Sequence, residues 1–316
     1  MELQASTRAA VTEGLVELAA TDSRVVLVCM DTLSTMKAEP FREAHPDRLF
    51  DVGIAEQHAV AFASGLASCG MTPWVAAFAG FITMRACEEV RTFVAYPNLN
   101  VKLVGANSGL AGGGRDGATH QFTEDLGIMR TMPGLTIVVP ADADQTRQAV
   151  LALSQIPGPA YLRIGSGRDP VVFSPGERFE LGKIKILERH GDDVALFACG
   201  YMLPRALEAG RALTSMGVMA TVVEVHTLKP LDVDGVIDVL KRTRAAVAIE
   251  DHNIIGALGS AIAEVIAEHA PARLARIGVR DVFGESGVAG PLLDKYHMGI
   301  VDIVEAARTV VADKPL

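Results

Sequence analysis

A surplus of basic charge is missing from this chain. Lys and Arg number 29 against 38 Asp and Glu, a net charge of −9. That balance opposes the basic stripe a phosphate backbone requires, so nucleic acid is not an expected partner. Cysteine is sparse as well. Cys29, Cys69, Cys87 and Cys199 form no CxxC pair and lie mostly in apolar runs, which predicts reduced core thiols in a cytoplasmic protein rather than a disulfide framework or a zinc site. No Asp, Glu and His cluster has metal-ligand spacing, and the N-terminus has no apolar core of the secretory kind. One uncharged stretch, Gln57 to Met84, is long enough to span a bilayer. Gly65, Gly70, Thr72, Pro73 and Gly80 interrupt it, so it reads as a buried helix, a turn, a buried strand and a loop, with no membrane partner.

What is present is a globular composition, with 49% hydrophobic residues over 316 positions, enough for two domains each with its own core. Continuous apolar runs of strand length alternate with helical spacing, the pattern of mostly parallel sheets flanked by helices in an α/β protein. Residues 1–168 form the first expected domain, with strands at Val25 to Cys29, Leu49 to Val52, Trp74 to Phe78, Val101 to Gly105, Leu135 to Val139 and Ala160 to Ile164. Helices are expected at Thr7 to Ala20, Ala55 to Ser68, Arg85 to Val94, Asp125 to Arg130 and Asp144 to Leu153. Residues 169–188 read as a linker, and residues 189–316 as a second α/β domain.

Four segments could carry chemistry. In DVGIAEQH, Glu56 opens a helix, where a carboxylate complements the helix dipole; the uncharged stretch after it would wall that carboxylate in apolar surroundings, costly without a proton-bearing partner. In AAFAGFITMR, Phe78, Phe81 and Met84 recur at spacing three before Arg85. They read either as core filling or, with Gly80 allowing close approach, as a platform for a heteroaromatic ring. The loop ANSGLAGGGRDGATHQ sets Asp116, Thr119 and His120 on glycine-rich backbone after a strand's carboxyl end, where doubly wound sheets bind ligands; it is neither a P-loop nor a dinucleotide fingerprint. Arg163 ends a buried strand in YLRIG. It must meet either an internal carboxylate or an anionic ligand. The polar residues of HTLKPLD and EDHNIIGALGSAI read as domain-packing groups.

Taken together, GIAEQ, the FxxF stretch, RDGATHQ, the strand arginine, LKPLD and EDHNIIGALGS resemble the thiamine-diphosphate enzymes of the transketolase family, deoxyxylulose-phosphate synthase included. The resemblance spans nearly the whole chain but corresponds only to the family's pyrimidine-binding and C-terminal domains. The GDG motif of the diphosphate- and Mg2+-holding domain is absent. It implies the β subunit of a split transketolase, moving a two-carbon ketol unit between a ketose phosphate and an aldose in carbohydrate metabolism. An α subunit would complete the site and hold Mg2+, in an α2β2 heterotetramer. It further implies that Glu56 bonds the pyrimidine nitrogen and that Phe78, Phe81, Met84 and Arg85 pack near that ring. His120 would act at the reacting atoms, Asp116 would orient a donor hydroxyl, and Arg163, with Arg8 and Thr35 or Ser34, would bind the sugar phosphate. Where common transketolases carry a sugar-contacting histidine this chain has Ser108, which implies a branched or modified sugar phosphate. Two other readings stand beside this one: the β subunit of a 2-oxo-acid dehydrogenase or a deoxyxylulose-phosphate-synthase-like enzyme, and a non-catalytic scaffold of a thiamine enzyme.

Overall fold

A computed structural model describes residues 4–314. Seven strands form the first sheet, in the order Thr227–Lys229, Thr136–Val138, Ala160–Arg163, Lys102–Ala106, Thr72–Phe78, Val25–Cys29 and Leu49–Asp51. All neighbours are parallel except the first pair. The central strands are buried along their length because helices cover both faces, as unbroken apolar runs require. Two helices on one face start at side-chain caps. Ser6 accepts from the Ala9 N–H at the start of Thr7–Thr21, and Asp142 from the Gln145 N–H at the start of Ala143–Ser154.

The second sheet runs Arg273–Val279, Ala245–Asn253, Val194–Ala198, Ala220–Glu224, Lys185–Arg189, with only the last pair antiparallel. A single apolar cluster joins the two layers, from Val28 and Leu103 in the first sheet to Phe197 and Ile262 in the second unit.

Several expectations change. The strand Thr227–Lys229 comes from the second half of the chain yet pairs with the first sheet. The stretch after Gly165 is not a free tether, since Asp142 Oδ2 accepts the N–H groups of Val172 and Phe173, and Phe173 is buried. Two residues of it, Asp169–Pro170, pair antiparallel with Gln4–Ala5. In place of a loop and then a regular helix, Phe81–Arg85 and Val90–Ala95 are wide π-helical turns around a short α-helical turn, Cys87–Glu89. Cys69 is exposed, not a core thiol, while Cys29 and Cys199 are buried and all four are unpaired. Among the described residues no helix is long and apolar enough to cross a membrane, the Gln57–Met84 stretch being divided between Glu56–Ser68, Thr72–Phe78 and the first π turn.

Candidate active site

The helix Glu56–Ser68 begins with its glutamate turned inward, only 4% exposed. Glu56 Oε1 accepts a hydrogen bond of 2.8 Å from Arg85, at the end of the first π turn; no other hydrogen bond to its carboxylate is made among the described residues. A wide turn at a ligand-facing position is a recurring device. Here it lets Arg85 reach Glu56 while its guanidinium lies 4.2 Å from the centre of the Phe81 ring. Phe81 in turn meets His120 edge-on at 5.3 Å, and Phe78 meets the same imidazole at 5.6 Å. The Arg8 guanidinium stands 6.0 Å from the Phe78 ring centre. Arg8 donates to the Thr35 carbonyl at 3.1 Å and to the Asn107 side chain, whose amide donates to Asp116 at 3.3 Å. One unbroken path therefore runs from Glu56 through two aromatic rings and His120 to Asp116.

Its construction depends on Gly80. A Cβ there would run into the Phe122 ring, which itself packs edge-on against Phe81 at 5.3 Å. His120 Nδ1 lies 3.0 Å from the Thr119 hydroxyl. Met84, in the same π turn as Phe81, is 43% exposed.

Two of the expected site residues, Arg163 and Ser108, are buried away from this path. Arg163 is buried and turned to an internal partner: its Nε and one terminal nitrogen hold Asp125 at 2.8 and 3.0 Å, and that nitrogen also donates to the carbonyls of Phe122 and Asp251. The Tyr161 hydroxyl adds a bond of 2.7 Å to Asp125. Burial alone would raise the Asp125 carboxyl; Arg163 outweighs it and holds the group below its usual range. Arg163 thus meets an internal carboxylate, the first of the two readings left open for it. Ser108 is buried too, its hydroxyl donating to the Ile164 carbonyl at 2.8 Å; it faces a cavity of about 20 Å³ rather than the open cleft. Thr35 contributes its carbonyl to Arg8, and Ser34 is exposed.

The loop is held by contacts that residue spacing does not display. Asp251 accepts from the N–H groups of Leu110 and Ala111 at 2.8 and 3.0 Å, so the second unit grips the glycine-rich loop. Asn107, held at φ +55°, links Arg8 to Asp116; an Asn before a glycine-rich run is the only hint of that backbone in the sequence. Burial keeps His252 neutral, with its pKa lowered to about 4, and the Gly127 N–H donates to its Nε2 at 3.3 Å. The EDH triplet is therefore packing machinery, as the sequence pattern predicts.

Comparison with known proteins shows the family. Residues 4–167 match the transketolase pyrimidine binding domain and residues 182–303 the transketolase C-terminal domain. The chain belongs to the transketolase family. It is 38% identical over 300 residues to a 6-deoxy-6-sulfo-D-fructose transketolase subunit of a Clostridium species, covering 95% of this chain and 92% of that one. It is also 38% identical over 276 residues to an apulose-4-phosphate transketolase subunit of Actinobacillus succinogenes, covering 86% and 88%. Among solved structures, a split gene transketolase described as an inactive β4 tetramer superposes with a TM-score of 0.89 at 39% identity, covering 98% of this chain and 99% of that one. The fold of the Leishmania mexicana transketolase matches with a TM-score of 0.83 at 23% identity, covering all of this chain and 47% of that one. As a transketolase-family chain, this protein corresponds to about half the length of that larger enzyme and to nearly the whole of the split subunits.

Proposed function

We propose that this chain is the β subunit of a thiamine-diphosphate-dependent split transketolase that moves a two-carbon ketol unit between a ketose phosphate and an aldose, with a non-standard sugar on one side. The observation that carries this reading is the chain of contacts from the buried Glu56 through Arg85, Phe81, His120, Phe78, Arg8 and Asn107 to Asp116. The residues present fit the cofactor. A buried carboxylate with an oxygen to spare sits beside two rings and a thioether, the chemistry needed to hold an aminopyrimidine.

Glu56 would accept a proton-bearing ring nitrogen on its free oxygen, with Arg85 keeping the carboxylate in place. Phe78, Phe81 and Met84 would pack on the ring. When bound, the cofactor supplies the electron sink for breaking the carbon–carbon bond, and the protein supplies orientation and electrostatics. The apolar surroundings of Glu56 exclude water and strengthen its hydrogen bond. His120, braced by two ring edges, would hold or deliver a proton at the sugar oxygen, and Asp116 would accept from a sugar hydroxyl.

The diphosphate and Mg2+ belong, in this reading, to an α subunit, which the relatives named as transketolase subunits support. The site is then shared between chains, and an α2β2 assembly in the cytoplasm is part of the same reading. The relatives named for sulfofructose and apulose phosphate support a modified sugar, and the solved β4 tetramer described as inactive supports the need for a partner.

Mixing this chain with candidate α subunits, while titrating thiamine diphosphate and Mg2+ and following cofactor circular dichroism, tests the reading. Tight cofactor binding in the mixture alone is expected. Equal binding by this chain alone, or none in any mixture, overturns the shared site.

A further inference from the structure

The Arg85 guanidinium does two things at once. It donates to the buried Glu56 at 2.8 Å, and its central carbon lies over the Phe81 ring, 4.2 Å from the centroid. A guanidinium is flat, delocalised and rich in N–H donors, so it can meet a carboxylate and a ring face together. These are the same two contacts that an aminopyrimidine would ask of Glu56 and Phe81.

The seat is fixed and its cover is not. Phe81 meets Phe78, His120 and Phe122 at interplanar angles of 63°, 75° and 70°. None of these rings is stacked flat on it, and the flat group over its face is Arg85. Phe81 and Arg85 are the first and last residues of one π turn, closed by the Ala86 N–H on the Phe81 carbonyl at 3.3 Å. The Glu56 side chain is 4% exposed, whereas that of Arg85 is 48% exposed and makes no second hydrogen bond among the described residues.

The two contacts of Arg85 differ in how firmly they hold. A buried carboxylate stripped of its partner is costly, so the bond to Glu56 resists breaking. An exposed cation over a ring face is held weakly. The guanidinium can therefore pivot about Glu56 Oε1 and uncover Phe81 without leaving the acid unpaired.

Resting on the transketolase reading, we propose that Arg85 is a displaceable lid on the pyrimidine seat. Its guanidinium and the aminopyrimidine compete for one face of Phe81, and the ring enters as Arg85 pivots away from that face. The ligand class is a flat nitrogen heterocycle that bonds the free oxygen of Glu56 and stacks where the guanidinium lay.

Thiamine carries the aminopyrimidine without the diphosphate, so it probes this seat on the full chain alone, by calorimetry. R85A should bind thiamine roughly three- to thirtyfold more tightly than the parent, the range that a cation over an aromatic face is worth. R85K keeps the positive charge for Glu56 but has no flat fork; it should also bind more tightly than the parent, and it carries the test if R85A is poorly folded. R91A, which removes an exposed arginine of the second π turn, should match the parent. Guanidinium ion, far below denaturing concentration, should weaken thiamine binding to R85A by refilling the place of the lost side chain, and methylammonium at the same concentration should not. Equal or weaker thiamine binding by R85A and R85K, no measurable binding by either, or equal competition from the two cations overturns the lid.

In a mixture with an α subunit, R85A should tighten thiamine diphosphate while lowering turnover, because Glu56 loses its brace. Loss of both would overturn the lid and make Arg85 a support for Glu56 alone. Ketol transfer by the parent mixture, with thiamine affinity indifferent to Arg85, overturns the lid and leaves the transketolase reading intact. Tighter thiamine binding by R85A, with no ketol transfer in any α-subunit mixture, overturns that reading and leaves the lid.

Discussion

Glu56 is buried where a carboxylate is expensive, and its bond to Arg85 compensates on only one oxygen. Glu56→Gln preserves shape while removing the acid–base group, so in the complex with an α subunit turnover should fall at least about 10²-fold. Steady-state assays check this, and near-normal turnover leaves only a scaffold role for the chain. Glu56 was legible in the sequence because an uncharged stretch follows it, an unusual setting for a helix-start acid. Its partner was visible only as the next charge after that stretch; the π turn that aims Arg85 back at Glu56 leaves no mark in residue spacing. Arg163 shows the opposite failure. Its burial could be read from the strand around it, but whether it met a carboxylate inside the protein or an anion from outside depended on where Asp125 fell after folding.

At the scale of elements, the glycine-rich loop is controlled from the second unit. Asp251 accepts two N–H groups of the short helix Gly109–Gly112, and a Cβ on Gly109, at φ +73°, would run into that carboxylate. Burial raises the Asp251 carboxyl above its usual range, opposed by Arg163 and by those same N–H groups. Asp251→Asn would set an amide N–H2 against one of the two donors, leaving it unsatisfied at a cost of about 1–3 kcal/mol. Hydrogen exchange should accelerate across residues 109–117 while the central strands keep their protection; uniform acceleration throughout the chain would mean that Asp251 supports the global fold instead. Strands such as Val25–Cys29 and helices such as Asp125–Arg130 follow directly from apolar runs and periodicity. The strand Thr227–Lys229 does not, because three residues carry no pattern and its pairing with Thr136–Val138 is a long-range event.

The whole molecule contains buried acids and buried histidines that respond to pH in opposite directions. Burial raises Glu224 to about 8 and Glu250 to about 7, and lowers His226 and His252 to about 4. The folded state therefore retains protons on the two acids in a range where the unfolded chain has released them. Their contribution is full below the unfolded value of 4.5 and is lost as pH rises through about 7 and about 8. Each histidine does the reverse: the unfolded chain takes up protons below 6.5 that the folded state refuses, so stability is lost as pH falls from 6.5 towards about 4. Between 4.5 and 6.5 the two effects oppose each other, and above 6.5 only the acids remain active, pulling stability down by up to about 1.4 kcal/mol per pH unit for each group. Glu224 is the cleaner probe, since its Oε1 accepts from Gln145 at 2.7 Å and its buried Oε2 has no partner. Glu224→Gln should flatten the decline in urea midpoint between about pH 5 and pH 8, at fixed protein concentration, and leave the slope below pH 4.5 unchanged. A parent protein whose midpoint rises over that range, or a variant with the same slope, would mean that Glu224 is ionised in the folded state and finds compensation the static contacts do not display.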